Sequence, residues 1–236
     1  MDIVLSTPDG PMHAYAARPD VPPRGGLVVI QEAFGVNAHI ADVTRRAAAA
    51  GFDAVAPELF HRGGAGLTAE YGDFERVIEC FGSVPGDTAV LTDIDAALDH
   101  LRAAGHADER IGVIGFCFGG RASFLAARHR ALGAAIGFYG GGIVRARFPQ
   151  FPPLVDGAAE LRTPWLGLFG DRDGSIPPDE VEELRTALTA APVTTEIVRY
   201  PEAGHGFHCD VRDDYREADA RDAWARTLAF LDEHLA

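Results

Sequence analysis

The chain has 236 residues, 47% of them hydrophobic, with a formal net charge of −14. That length buries a full core and predicts one α/β domain over 1–236, and the composition excludes disorder. The acidic balance excludes a general nucleic-acid binder, because neutralising phosphates needs a basic face, and an anionic substrate would need arginines gathered inside a pocket.

In chain order, Val4 to Leu5 and Met12 to Ala17 read as a hairpin across Thr7-Pro8-Asp9-Gly10-Pro11. The unbroken apolar run Gly26 to Ile30 predicts a central parallel strand. A helix over His39 to Ala50 stops at Gly51, and Phe52 to Ala56 is the next strand, closed by Pro57. Thr88 to Ala104 has a helical apolar stripe ended by Gly105, and Arg110 to Ile114 is a short buried strand. Arg121 to Arg130 continues as a helix. Strands follow at Leu132 to Tyr139, Trp165 to Phe169 and Thr194 to Tyr200, with helices over Pro177 to Ala191 and Asp213 to Leu235. Strands alternating with helices predict a mostly parallel, doubly wound sheet with helices on both faces. Two loops rich in glycine or proline, His61 to Tyr71 and Gly140 to Pro164, are placed to cover a pocket.

Met1 to Ser6 contains no basic segment leading into an apolar run, so no signal peptide is expected. No stretch approaches the roughly 18 apolar residues of a membrane span. Cys80, Cys117 and Cys209 are scattered without paired ligand spacing. That pattern predicts a cytoplasmic setting with no disulfide framework, no metal and no cofactor.

The chemistry-bearing stretch is Ile114-Gly115-Phe116-Cys117-Phe118-Gly119-Gly120. Gly-x-Cys-x-Gly between a strand and a helix is the nucleophile elbow of the α/β-hydrolase fold, with cysteine in place of serine. Cys117 would then stand at the positive end of a helix, which favours thiolate. Acid and base should follow at later strand ends. Gly170-Asp171-Arg172-Asp173 follows one strand and Ala203-Gly204-His205-Gly206-Phe207 another, in the order nucleophile, acid, histidine. Asp173 is the expected acid, just before the segment leading into the next helix, and Asp171 the turn former. Cys117 would attack an acyl carbonyl to form a thioester, His205 would move the protons, and Asp173 would orient the imidazole. The Phe118 N–H is one oxyanion donor, and a second is expected from the loop after the Val28 strand.

Together with Gln31-Glu32-Ala33-Phe34-Gly35-Val36-Asn37, these motifs resemble the dienelactone hydrolase (carboxymethylenebutenolidase) family over nearly the whole chain. The resemblance implies a cysteine-dependent hydrolase of small lactones or esters. It also implies that Glu32 contacts the cysteine region and changes partner when substrate enters, promoting the thiolate, and that Ala33 supplies the second oxyanion N–H. It further implies a clamp for the substrate's carboxylate, and here the chain departs from the pattern. Cys209 stands where an arginine is expected, four residues beyond the histidine. Arg62 and Arg76 are available for a second arginine, and Phe138 replaces a tyrosine, with Tyr139 adjacent. These five residues are the substrate-binding candidates. The partner is a small ester or lactone, not a nucleic acid or membrane, and the protein a monomer or small homo-oligomer. A short-chain carboxylesterase or thioesterase with a diverged pocket is the alternative, and a non-catalytic ligand-binding member of the fold the contrasting class.

Overall fold

The structure is a computed structural model and describes residues 1–235. Eight strands form one sheet in the order β1-β2-β4-β3-β5-β6-β7-β8. β1 (Asp2–Thr7), β2 (Gly10–Ala17) and β4 (Phe52–Pro57) pair antiparallel, β1 with β2 and β2 with β4. β3 (Gly25–Ile30), β5 (Ile111–Phe116), β6 (Ala134–Phe138), β7 (Trp165–Gly170) and β8 (Thr195–Tyr200) continue the sheet in parallel from β4. β3, β4, β5, β6 and β7 are buried at every residue, which is why they read as apolar runs rather than alternations.

Helices are α1 (Ala38–Ala49), α2 (Phe74–Gly82), α3 (Asp87–Ala103), α4 (Phe118–His129), α5 (Pro178–Leu188) and α6 (Glu217–His234). They cover both faces, as the two glycines of β5 record. A Cβ on Gly112 would meet Leu231 of α6, whereas one on Gly115, pointing to the other face, would overlap the Gly119 backbone of α4.

Two elements differ from expectation. The last helix starts at Glu217 instead of Asp213, because residues 211–214 form turns after the His205 loop. α2 occupies a segment with no predicted element. Its start is capped by Asp73, whose side chain accepts from the Arg76 N–H at 3.1 Å. Val77, Cys80 and Phe81 are buried, but Phe74 and Ile78 are 72% and 65% exposed. Phe74, Val77, Ile78 and Phe81 do recur at i, i+3, i+4 and i+7, so the helical stripe is present in the sequence, though the helix spans only nine residues.

Candidate active site

β5 ends directly in the elbow. Cys117 has φ 53° and ψ −110°, a conformation that costs a non-glycine residue about 1–3 kcal/mol. Neighbouring backbone holds it there. The Cys117 N–H donates to the Phe138 carbonyl at 3.0 Å, and the Gly119 N–H donates to the Gln31 carbonyl at 3.1 Å. Gly115 and Gly119 are fixed by space: a Cβ on either would overlap main chain, of Gly119 and Ile30 respectively. The Gln31 side chain accepts from the Leu59 N–H at 3.1 Å, tying the end of β3 to the segment after β4.

The loop after β7 brings Asp173 to the loop after β8. Asp173 Oδ2 lies 2.6 Å from His205 Nδ1. Its other oxygen accepts from the Ser175 N–H at 2.8 Å, the Ser175 hydroxyl at 2.6 Å and the Ile176 N–H at 3.2 Å. Burial raises the Asp173 pKa, but His205 and Ser175 outweigh it and hold the carboxyl below its usual range. Asp171 is engaged elsewhere, with the Arg199 guanidinium at 2.6 Å. For His205, burial disfavours the charged ring. Its interactions with Cys117 and Asp173 outweigh burial and push the imidazole up to about 10. The structure thus gathers Cys117, His205 and Asp173.

Phe118 is the first residue of α4, and Ala33 follows Glu32 just beyond β3. Both line the cavity that Cys117 and His205 reach, and neither N–H donates to another protein group among the described residues.

Glu32 is completely buried, and burial pushes its carboxyl pKa up despite nearby Arg212 and His205. Oε2 has only a 3.5 Å contact from the Tyr71 hydroxyl, and Oε1 has no hydrogen-bond partner. The Arg212 guanidinium stands 3.8 Å from Oε1. Tyr139, the other non-glycine residue with positive φ (38°) among the described residues, is also buried, its ring 5.2 Å from that of His205 and its hydroxyl without a hydrogen-bond partner among them.

The cavity has a volume of about 510 Å³ and is mostly apolar. One wall comes from α2 and the loop before it, through Tyr71, Phe74, Val77 and Phe81. Another comes from the 140–164 loop, where Phe148 stacks on Phe81 with ring centroids 4.3 Å apart. Both loops singled out in the sequence therefore supply wall residues.

Other candidates lie elsewhere. Arg62 is spent on Asp93, with two bonds of 2.7 and 2.9 Å, and on Asp9. Arg76 reaches Glu79 and the Thr68 carbonyl. Neither lines the cavity. Phe138 is buried in the core against Phe116, and Cys209 is buried with its sulfur 3.3 Å from the Tyr71 hydroxyl, so neither reaches the cavity surface. The lining arginines are Arg121, Arg147 and Arg212. Arg121 is held by Asp87 at 2.6 and 2.9 Å, and Arg147 by Glu180 at 3.0 Å. Arg212 was not anticipated. Its guanidinium carbon sits 5.8 Å and 5.7 Å from the Phe34 and Tyr71 ring centroids. The available signal was its place in the His205 loop, seven residues beyond the histidine. Ser175, two residues after Asp173, likewise carries no signal in the sequence, because a serine in a turn has no distinctive pattern.

An eight-stranded sheet with a strained residue between β5 and α4 defines an α/β-hydrolase fold. Residues 12–235 match the dienelactone hydrolase family. The chain is 41% identical to the "Putative carboxymethylenebutenolidase" of Methylorubrum extorquens over 95% of its own length and 78% of that protein's. It is 40% identical to the protein of the same name from Salmonella typhimurium, over 94% and 83% of the two chains. A crystal structure from Klebsiella pneumoniae, named "Putative Dienelactone Hydrolase", superposes with a TM-score of 0.90 at 39% identity, covering 99% of this chain and 98% of that one. The chain belongs to the dienelactone hydrolase family and is a hydrolase acting on ester bonds.

Proposed function

We propose that the protein hydrolyses small lactones and esters through a thioester on Cys117, with His205 and Asp173 as its proton-handling partners. The observation that carries this reading is the coupling at His205. One ring nitrogen is fixed by Asp173 at 2.6 Å, and the interactions of the imidazole with Cys117 and Asp173 raise it to about 10. An imidazolium beside a cysteine favours thiolate, the form that attacks carbonyl carbon.

The thiolate adds to the acyl carbonyl, and the oxygen takes up charge facing the Phe118 and Ala33 N–H groups. Collapse breaks the acyl–oxygen bond, and the leaving alkoxide takes the proton from His205. The now neutral imidazole then takes a proton from water as that water attacks the thioester, and the thiolate departs. Asp173 accepts from Nδ1 throughout, keeping Nε2 for this traffic. Glu32 contributes at the start. Its buried carboxylate is a stronger base than an exposed one and is weakly held, which suits it to take the thiol proton and change partner as substrate enters.

Arg212 is the cationic group offered to an anionic substrate. It reaches the cavity and is less firmly committed than Arg121, with 3.8 Å contacts to Glu32 and Asp214. A carboxylate-bearing lactone would compete with Glu32 for it. The apolar walls accept the rest of the substrate, and a cytoplasmic location fits a reactive thiol.

The test is turnover of p-nitrophenyl acetate and of a carboxylate-bearing enol lactone by wild type, Cys117→Ala and Arg212→Gln. Cys117→Ala is expected to lose about 10⁴-fold or more on both. Arg212→Gln is expected to lose roughly 10-fold or more on the lactone beyond any loss on the neutral ester, the worth of one charge-assisted contact. Undiminished turnover by Cys117→Ala contradicts the mechanism. Equal losses on the two substrates remove Arg212 from carboxylate recognition.

A further inference from the structure

Glu32 also belongs to a second cluster, whose other two members hydrolysis does not use. Its carboxylate, the His39 imidazole and the Cys209 thiol bring one ligand-type atom each to within 4.8 Å of one another. Glu32 and Cys209 are wholly buried and His39 is 4% exposed. Buried polar atoms are normally paired, yet among the described residues both ring nitrogens of His39 have no hydrogen-bond partner and Glu32 Oε1 has only the Arg212 guanidinium at 3.8 Å. His39 Nδ1 lies 4.0 Å from the Asp210 carboxylate. The three ligand-type atoms converge from three separate segments: the residues just beyond β3, the first turn of α1 and the His205 loop.

The donor set is selective. One sulfur, one imidazole nitrogen and one carboxylate oxygen suit a zinc-type ion and are wrong for magnesium or calcium, which take oxygen. Metal–ligand bonds of about 2.0–2.3 Å leave tetrahedral ligands roughly 3.3–3.8 Å apart. Separations of up to 4.8 Å therefore close by side-chain shifts of about an ångström. The Tyr71 hydroxyl, 3.3 Å from Cys209 Sγ and 3.5 Å from Glu32 Oε2, stands beside the fourth position and is itself anchored by Asn37 at 3.0 Å. A surface cleft lined by His39, Tyr71, Asp42, Glu70 and Asp210 gives a route with acidic walls, Arg46 in it being paired with Asp42 and Asp210.

We propose that Glu32, His39 and Cys209 bind a thiophilic divalent ion of the zinc type, and that its occupation silences hydrolysis by capturing the Glu32 carboxylate. On binding, the Cys209 thiol releases one proton to solvent and the sulfur–metal bond forms. Carboxylate and thiolate then neutralise the dication in the interior. The binding statement stands on this cluster alone, whereas the silencing rests on the hydrolase reading above.

Titration with Co²⁺ separates the two. One equivalent is expected to produce a thiolate-to-cobalt charge-transfer band in wild type and equally in Cys117→Ala, reversed by Zn²⁺. Cys209→Ala should abolish the band, while His39→Ala should weaken affinity by about 10-fold or more. Cys209→Ser, which preserves size, guards against misfolding and should also abolish it, with circular dichroism unchanged. A band that survives in Cys209→Ser, or no saturable band in folded wild type, overturns the site. For silencing, each protein is compared with its own metal-free rate. Zn²⁺ should inhibit wild type reversibly and Cys209→Ser at least 10-fold less. Equal inhibition of both would place the ion on Cys117 and overturn the proposed switch, while leaving Cys117-dependent hydrolysis intact.

Discussion

The two buried carboxylates near the cysteine are held in opposite ways. Asp173 accepts four hydrogen bonds of 2.6–3.2 Å, two of them from main chain, and its pKa is depressed. Glu32 has one 3.5 Å contact, one oxygen without a partner and a raised pKa. The first arrangement over-determines both position and charge. The second leaves a buried group whose proton and partner are both readily changed, since an under-satisfied carboxylate gains from any new donor. Orientation and switching are thus divided between two acids of similar chemistry. The difference lies in the neighbours, with a tight turn around Asp173 and side chains around Glu32.

That division predicts unequal responses to substitution. Asp173→Asn should lower kcat by about 10²–10⁴-fold, because the amide no longer selects the required imidazole tautomer. The pH profile follows from His205. Its proton is present below about 10, so kcat/KM should fall as pH rises through about 10, with the acid for the leaving alkoxide gone. In Asp173→Asn that limb should move to lower pH, because a hydrogen bond favouring the charged ring is lost. A limb that stays in place would mean Asp173 does not govern the imidazole.

Glu32→Gln should cost roughly 10²-fold, chiefly at subsaturating substrate, with His205 still titrating in its wild-type range by NMR. An equal fall for Glu32→Gln and Asp173→Asn, with the same displaced pH limb, would erase the distinction between the two acids. Ser175→Ala is the mildest test. It removes one of four bonds to Asp173, about 1 kcal/mol or roughly fivefold in rate. A loss as large as that of Asp173→Asn would show that the turn is less redundant than its geometry implies.

Much of this arrangement is visible in the sequence because it depends on local pattern. β3 and β5 are unbroken apolar runs, and the elbow needs glycine at 115 and 119, where any Cβ would collide with backbone. Asp173 and His205 each follow a strand, so chain order alone brings them to one edge of the sheet. The cavity walls are less legible. α2 carries its helical stripe over only nine residues, and Arg212 enters through a loop whose path is set by packing rather than periodicity. Arg62 illustrates the reverse. It is an arginine in the expected region, and only the buried Asp93 beneath it explains why it does not face substrate. The cluster of Glu32, His39 and Cys209 has no sequence signature at all, since its third member lies 170 residues beyond its second.

The most direct test of the central claim is acid quenching of a slow ester turnover, followed by mass spectrometry of the peptides. The account predicts one acyl group on the peptide bearing Cys117 and none in Cys117→Ala. Acyl groups on another residue, or steady turnover by wild type without any acyl–cysteine, would contradict it.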